Sequence, residues 1–234
     1  MQRFRVSFAE GLFCTEVGMA AEKEYLTVRS IGKGEYTEKK SRFLGEIHPV
    51  STEEEAAAVV AQARKRYYDA RHHCYAWILG EDGSVKKASD DGEPSGTAGV
   101  PMLKVLVGAG IRNAVVVVTR YFGGTLLGTG GLVRSYTQAA QAALADAQIA
   151  RMCKCRVIGV EIDYSLLDRV LYYLKQQKVT PYDQVYTDKV SLMITVREDH
   201  ADQICGGLTA LSGAAAEIIV VEEGFFPLDV EGSD

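Results

Sequence analysis

Alternating apolar and polar residues near the start of the chain predict two β-strands. The alternation runs from Tyr25 to Ser30, stops at Gly32 and Gly34, and resumes from Ser41 to Val50. Two alternating runs on either side of a glycine turn are typical of a β-hairpin. We therefore expect residues 25–50 to form one hairpin.

A helix and a second pair of strands are predicted next. Apolar residues recur with a helical period from about residue 52 to 69, and Ser51 and Glu54 have the spacing of a capping box. The aromatic-rich run from His73 to Leu79 is then separated from Val85 by an Asp-Gly turn. That pattern indicates two strands joined by a tight turn.

Another helix follows an acidic turn that begins at Asp90. Ser95 or Thr97 can cap this helix, which ends near Val107. Pro101 falls in its first turn, where the missing N–H of proline costs nothing.

Four consecutive valines mark the strand from Asn113 to Phe122 and are typical of a strand covered on both faces. A glycine loop from Gly123 to Gly131 leads into a helix with an apolar stripe. The order is strand, strand, helix, strand, strand, helix, strand, helix. This order predicts an α+β fold in which helices pack on a mixed sheet.

The pattern begins again after residue 151 and predicts a second unit. Strand periods around Ile158, 179–186, 190–196 and 217–221 are interrupted by helical periods at 166–174 and about 199–211. Their order is that of the ferredoxin-like βαββαβ fold. From Glu222 the chain has the composition of a polar tail with no required structure.

We therefore divide the chain into four parts. They are a weakly ordered extension at 1–20, an N-terminal domain at 21–150, a ferredoxin-like domain at 151–222, and a tail at 223–234. Met19, which precedes two alanines, is a candidate start of translation beside Met1.

The net charge of −5 is unevenly distributed. Residues 21–150 carry 16 Lys and Arg against 15 Asp and Glu, a net charge of +1, whereas residues 151–234 carry 8 against 14, a net charge of −6. A chain without a large basic surface is not expected to bind duplex DNA tightly.

The compartment is predicted from cysteines and apolar stretches. Five scattered cysteines suit reduced thiols better than a disulfide framework. No stretch reaches the roughly 20 apolar residues of a membrane span, and the first 20 residues lack the apolar core of a signal peptide. We expect a cytoplasmic protein.

The glycines from Gly128 to Gly131 precede a predicted helix, where free backbone N–H groups can hold a phosphate. However, Leu132 and Val133 stand where a Walker A loop requires Lys and Ser or Thr. A purely structural role for these glycines is an equal alternative.

Asp90, Asp91 and Glu93 can bind a hard cation through their oxygens, but acids in such a turn are more often solvated turn formers. The run from His72 to Cys74 is on a strand, where neighbouring side chains point to opposite faces, and no second ligand pair has the spacing of a zinc site. We predict no metal site, no catalytic residue and no cofactor.

Arg120, Tyr121 and Phe122 end the valine strand. A cation beside two aromatic rings can stack on a nucleic-acid base or on a partner's side chain. Alternatively, Tyr121 and Phe122 pack beneath the glycine loop.

Three motifs resemble the signature of the IMPACT/YigZ family. They are HHCYAW from His72 to Trp77, DDGEPSGTAG from Asp90 to Gly99, and the run from Gly99 to Gly128 that contains GVPMLKVL and VVVTRYFGG. Together with the second domain, the resemblance covers about residues 25–222.

The resemblance implies an N-terminal domain similar to the second domain of small-subunit ribosomal protein five, and a C-terminal domain similar to the fifth domain of elongation factor G. Eukaryotic members restrain the amino-acid-starvation kinase by competing for its ribosome-associated activator. This implies a role in translational control. No catalytic residue of the family carries over to this chain.

The leading hypothesis is a nonenzymatic binding protein linked to translation, which contacts RNA or a ribosome-associated protein through the loops DDGEPSGTAG and RYFGGTLLGTGG. The rival is a phosphate- or nucleotide-binding enzyme that uses Gly128 to Gly131 together with Asp90, Asp91 and Glu93. A third hypothesis is a protein-interaction module whose acidic C-terminal domain docks a basic partner.

RNA binding by a net-acidic chain would depend on cations that converge in space, namely Lys86, Lys87, Lys104, Arg112, Arg120 and Arg134. The full set of candidate binding residues is Asp90, Asp91, Gly92, Glu93, Ser95, Thr97, Arg120, Tyr121, Phe122, Gly123, Gly124, Gly128, Thr129, Gly130 and Arg134.

Overall fold

The computed structural model describes residues 23–227, so the predicted extension at 1–20 lies outside the described residues. The strands are β1 (Glu24–Val28), β2 (Gly32–Glu38), β3 (Ser41–Pro49), β4 (His72–Leu79), β5 (Val85–Ser89), β6 (Ala114–Tyr121), β7 (Ile149–Ile162), β8 (Tyr182–Tyr186), β9 (Val190–Arg197) and β10 (Glu217–Pro227). The helices are α1 (Glu53–Arg66), α2 (Gly99–Gly108), α3 (Gly128–Asp146), α4 (Leu167–Gln176) and α5 (Glu198–Ser212).

The first sheet has the strand order β2-β3-β6-β4-β5. Val116 and Val118 of β6 belong to the core beneath α2 and α3, while Val115 and Val117 belong to the core beneath α1. This central strand is therefore buried on both faces, as its valines predict. The prediction of a mixed sheet is wrong, because all four strand pairs of this sheet are antiparallel.

The predicted hairpin over residues 25–50 is also wrong. β3 pairs with β2, and the turn between them falls at Lys39 and Lys40, whose φ angles are 47° and 67°. β1 pairs with β7 of the second sheet, with Leu26 opposite Arg151. Alternation identifies a strand, but it does not identify the strand's neighbour.

Glycines in β2 and β3 allow α3 to lie directly on the sheet. Gly32 and Gly34, predicted as a turn, are strand residues. A Cβ on Gly32 would overlap the carbonyl oxygen of Ala143, and a Cβ on Gly45 would overlap that of Ala139. Only glycine permits this approach of two backbones. The contact fixes the position of α3 and of the loop before it.

Two helix caps differ from the predictions. The capping box of α1 is shifted by one residue: the Thr52 Oγ1 accepts the Glu55 N–H at 3.2 Å, and the Glu55 carboxylate accepts the Ser51 N–H at 2.6 Å. α2 begins after Ala98 and has no side-chain cap from Ser95 or Thr97. A carboxylate from the preceding turn takes that role, as described below.

The second sheet has the order β10-β7-β9-β8, and β1 extends it along the first residues of β7. α4 and α5 pack on one face, which gives the predicted βαββαβ order. β10 continues to Pro227, so the prediction of a structureless tail from Glu222 is wrong as far as Pro227. The extra length is held by Phe225, whose ring lies 5.2 Å from that of Tyr25.

Within residues 23–227, Cys74, Cys153, Cys155 and Cys205 are free thiols. The helices of this part of the chain include none with both the length and the apolar character needed to cross a bilayer.

Candidate functional site

Asp90 organises the first candidate loop. Its carboxylate accepts the N–H groups of Gly96 at 2.8 Å and of Ala98 and Gly99 at 2.9 Å each. Burial alone would raise the pKa of Asp90, but the three backbone donors outweigh it and hold the pKa below its ordinary value. Asp90 is therefore the cap of α2.

Asp91 is used in a second set of internal bonds. Its carboxylate accepts an Arg64 N–H and the His73 backbone N–H, each at 2.7 Å, and its carbonyl lies 2.9 Å from the Nδ1 of His72. The φ angles of Asp91 and Gly92 are 40° and 87°, so the chain reverses here in a conformation that suits Asp and Gly. Asp91 thus ties the loop to α1 and β4.

Glu93 points into the core. Its Oε1 accepts an Arg120 N–H and the Tyr136 hydroxyl, each at 2.7 Å. The side chains of Glu93 and Arg120 are 3% and 7% exposed. Burial also raises the pKa of the Tyr136 hydroxyl far above its ordinary value, so that hydroxyl stays protonated and donates to Glu93. These three side chains join the first loop to β6 and α3.

The three acids are therefore engaged by protein donors. Ser95 is exposed, while Thr97 is 3% exposed and its Oγ1 donates to the Pro94 carbonyl at 2.6 Å. Residues 23–227 contain no group of three or more His, Cys, Asp or Glu side chains that could hold a metal ion. The arrangement builds a rigid loop and presents its backbone to solvent.

Arg120 contacts two aromatic rings. Its guanidinium carbon lies 5.4 Å from the ring centre of Phe43 and 5.6 Å from that of Phe122. The Tyr121 hydroxyl donates to Asp69 at 2.7 Å, and this bond raises the pKa of Tyr121 to about 12. Phe122 is 55% exposed. The inner face of its ring is thus supported by Arg120, while the rest of the ring meets solvent.

The glycine loop runs from Gly123 into α3. Gly124 and Gly128 have φ angles of 83° and 70°, and a Cβ on Gly124, Gly128 or Gly130 would meet open space. Leu127, the N-cap residue, makes no side-chain cap bond. α3 starts three residues earlier than the end of the predicted loop, so its first turn is made of exposed Gly128, Thr129 and Gly130.

Lys39 and Lys40 belong to the same surface, although the sequence pattern did not indicate them. Gly123 packs directly against the Lys40 backbone, and its N–H donates to the Ser41 Oγ at 3.0 Å. Both lysines are exposed. In the sequence these two lysines are adjacent and stand between two alternating runs. That position predicts a turn only if Gly32 and Gly34 are assigned to a strand. We define the loop rim as the exposed residues Lys39, Lys40, Phe122, Gly124, Gly128, Thr129, Gly130 and Arg134.

The six cations proposed to converge do not form one patch. Lys87 lies 4.8 Å above the ring of Trp77, which packs in the α1 core. Lys104 lines a groove of about 610 Å³ between α2 and α3, on the opposite face of the sheet. Arg120 is buried, and only Arg134 of the six is part of the loop rim.

Models of two protein families match the chain. The Impact N-terminal domain matches residues 39–144, and a domain of unknown function, DUF1949, matches residues 160–215. The first match contains both candidate loops, and the second contains most of the βαββαβ unit.

Whole proteins with related sequences are found in bacteria and eukaryotes. The IMPACT family member YvyE of Bacillus subtilis is 35% identical over 194 residues, which is 83% of this chain and 89% of that protein. The IMPACT family member YigZ of Escherichia coli is 35% identical over 187 residues, 79% of this chain and 92% of that protein. The Protein IMPACT of Mus musculus is 34% identical over 97 residues, 39% of this chain and 30% of that protein.

A solved structure has a similar fold. A crystal structure described as that of "an hypothetical protein" is 32% identical to this chain, with a TM-score of 0.57. The alignment covers 86% of this chain and 98% of that one.

Proposed function

The chain belongs to the IMPACT family, and from that premise we propose that it is a nonenzymatic binding protein linked to translation, which contacts RNA through the loop rim. The resemblance to eukaryotic members of the family, which are associated with translational control, supports the link to translation.

One observation supports the RNA contact above the others. Lys39, Lys40 and Arg134 are exposed cations that form no ion pair with any residue in the range 23–227, and Phe122, next to the Lys40 contact, offers an exposed ring. Cations that track a phosphate backbone, with an aromatic ring on which a base can stack, are the usual elements of single-strand recognition.

The remaining elements of the rim favour the same ligand. The first N–H groups of α3 have no side-chain cap and can meet a phosphate oxygen. The buried contact of Glu93 with Arg120 and Tyr136 holds the rim from below, so its geometry exists before a ligand arrives. Pre-organisation of this kind lowers the entropy cost of binding.

Two alternatives have weaker support. A ribosome-associated protein could bind here through apolar contacts, since Leu126, within the glycine loop that follows Phe122, is 84% exposed. An enzyme acting on a phosphate or nucleotide would need Asp90, Asp91 or Glu93 free for a cation, yet each accepts bonds from protein donors.

The test replaces the rim cations in the full chain. We expect Lys39→Glu with Lys40→Glu to weaken binding to single-stranded RNA and cosedimentation with ribosomes, and to reduce the salt dependence of RNA binding, because about two phosphate contacts are lost. The charge-matched control is Lys175→Glu with Lys178→Glu, two exposed lysines in the last turn of α4 and in the turn that follows it.

Three outcomes separate the alternatives. If the rim variant and the control variant lost equal amounts of RNA affinity, the rim would be rejected as the RNA contact. Loss of ribosome cosedimentation without any RNA binding by the parent chain would favour a protein partner. A thermal shift with a nucleotide and a divalent ion would favour the enzyme.

A further inference from the structure

The second sheet has an open face with an apolar depression. α4 and α5 cover one face of this sheet. On the other face, Val185, Met193, Ile219 and Val221 line a concavity of about 430 Å³, and Gly159 contributes to it. This surface is separate from the loop rim, which belongs to the first sheet.

The depression exists because Gly159 has no side chain. Gly159 of β7 lies between Ile219 of β10 and Met193 of β9 in register. A Cβ there would be 3.5 Å from the Val221 Cγ2 and 3.6 Å from the Met193 Sδ, which are ordinary contact distances. A Cβ would therefore fit, and the sheet leaves that space open.

The residues around the depression are apolar and solvent-exposed. Val185, Ile219 and Val221 are 55%, 53% and 59% exposed. The register of β10 against β7 shifts between Val220 and Glu222, so Val221 has no partner on β7. Bulges of this kind redirect side chains at sheet edges and are common near binding sites. A contiguous exposed apolar patch on a rigid sheet is typical of an interaction surface.

Charge limits what can cover this patch. Asp183 and Glu217 line the depression, are exposed, and form no ion pair with any residue that the structure describes. Glu161, also at its edge, is neutralised by Lys189 at 2.9 Å. Residues 151–234 carry a net charge of −6. A second copy of the chain would bring the same acids to this face, and a nucleic acid would bring phosphates.

We propose that this face docks a cationic, amphipathic segment of a partner protein, which inserts an apolar side chain over Gly159 and places Lys or Arg against Asp183 and Glu217. The apolar anchor supplies burial at the centre of the contact. The cations meet Asp183 and Glu217, which have no ion pair within residues 23–227, although Lys189 acts on Glu217 at longer range. The contact is independent of RNA binding at the loop rim.

The probe is a labelled twelve-residue peptide in which Leu and Lys alternate, added to the full chain and followed by fluorescence anisotropy. One matched peptide has Glu in place of Lys, and another has Ser in place of Leu. We expect only the Leu-Lys peptide to bind. Gly159→Val fills the depression and should reduce its affinity about tenfold or more, while thermal stability is maintained or raised because valine suits a strand better than glycine.

The charge requirement is tested by Glu217→Lys, which should weaken binding, against Glu54→Lys on α1, which makes the same charge change elsewhere and should not. The proposal is overturned if folded Gly159→Val binds the Leu-Lys peptide as tightly as the parent chain, or if the Glu peptide binds equally well. Self-association of the parent chain that Gly159→Val abolishes would also overturn it, because the face would then belong to a second copy. RNA that competes with the peptide for this face would have the same consequence.

Discussion

The carboxylate of Glu93 lies 2.7 Å from the guanidinium of Arg120, and both side chains are almost completely buried. Glu93 comes from the acidic loop, and Arg120 comes from the end of the valine strand. The contact is therefore the point at which the two candidate loops are joined. It also explains why a motif that looks like a cation site in the sequence has the last of its three carboxylates inside the protein.

Removal of one member of this pair should be costly. Glu93→Ala leaves the buried guanidinium of Arg120 and the hydroxyl of Tyr136 without their acceptor. We expect the free energy of unfolding, measured by urea denaturation, to fall by about 3–5 kcal/mol. The exposed pair of Glu35 and Arg42 is the control, since Glu35→Ala should cost less than about 1 kcal/mol. Similar losses at the two sites would contradict the buried interaction.

A second buried acid predicts the response to low pH. Hydrogen bonding to His48, with further bonds from Tyr67 and Arg66, lowers the pKa of Glu46 from 4.5 to about 2. Since the folded-state pKa lies below the ordinary value, this group stabilises the fold fully above pH 4.5, and the contribution is lost as the pH falls toward 2. It amounts to roughly 3 kcal/mol.

Glu46→Gln tests this. The difference in melting temperature between the parent chain and the variant should be large at pH 6 and should shrink steadily between pH 4.5 and 2. A difference that stays constant over this interval would show that Glu46 does not titrate in this way.

Replacing glycine by alanine should have opposite effects on stability at two positions, one in the close contact of α3 with β3 and one on the surface of α5. Gly45→Ala would push a methyl group into the Ala139 carbonyl, and we expect a loss of about 3 kcal/mol in unfolding free energy. Gly206→Ala lies on the exposed side of α5, where an added Cβ meets nothing within 4 Å. There we expect a gain of about 0.5–1 kcal/mol, because alanine favours the helix. Denaturant unfolding of both variants measures the contrast.

Substitution of Asn113 should lower stability for two reasons, the loss of its side-chain hydrogen bonds and its positive φ angle. Its amide accepts the Gly80 N–H and donates to the Tyr25 hydroxyl, each at 2.9 Å, and its φ is 53°. Asn113→Gly keeps that φ at no cost but loses the two bonds, about 1–3 kcal/mol. Asn113→Ala loses the bonds and adds roughly 1 kcal/mol of backbone strain. Thermal melting should therefore rank the parent chain above the glycine variant and the glycine variant above the alanine variant.

Features with a local period could be predicted from the sequence. The valine strand and the βαββαβ order can be predicted because the apolar pattern of each element is complete within about ten residues. The sequence pattern does not predict β2, because Gly32 and Gly34 resemble a turn. In the structure these glycines make room for Ala142 and Ala143 of α3, more than 100 residues later in the chain. The sequence pattern predicts the wrong neighbour for β1 for a related reason, because strand pairing is non-local.

Both candidate stretches contain a loop, one between β5 and α2 and one between β6 and α3. The side-chain roles within them depend on burial. A sequence shows that Asp90, Asp91 and Glu93 are acidic, and it does not show that one caps a helix and another lies in the core. Lys39 and Lys40 were missed because the hairpin turn that exposes them depends on the correct pairing of β3.

The pairing of β1 with β7 sets an order of events during synthesis. Glu24 and its partner Arg151 are 127 residues apart, so β1 emerges from the ribosome about 6 to 25 seconds before its sheet neighbour at ordinary elongation rates. In that interval the Leu26 carbonyl can accept the Arg112 backbone N–H, but β1 cannot form its ladder because β7 has not yet been made. Closure of β1 must therefore follow translation of β7, and a chain that stalls before residue 149 would leave this strand open to other partners.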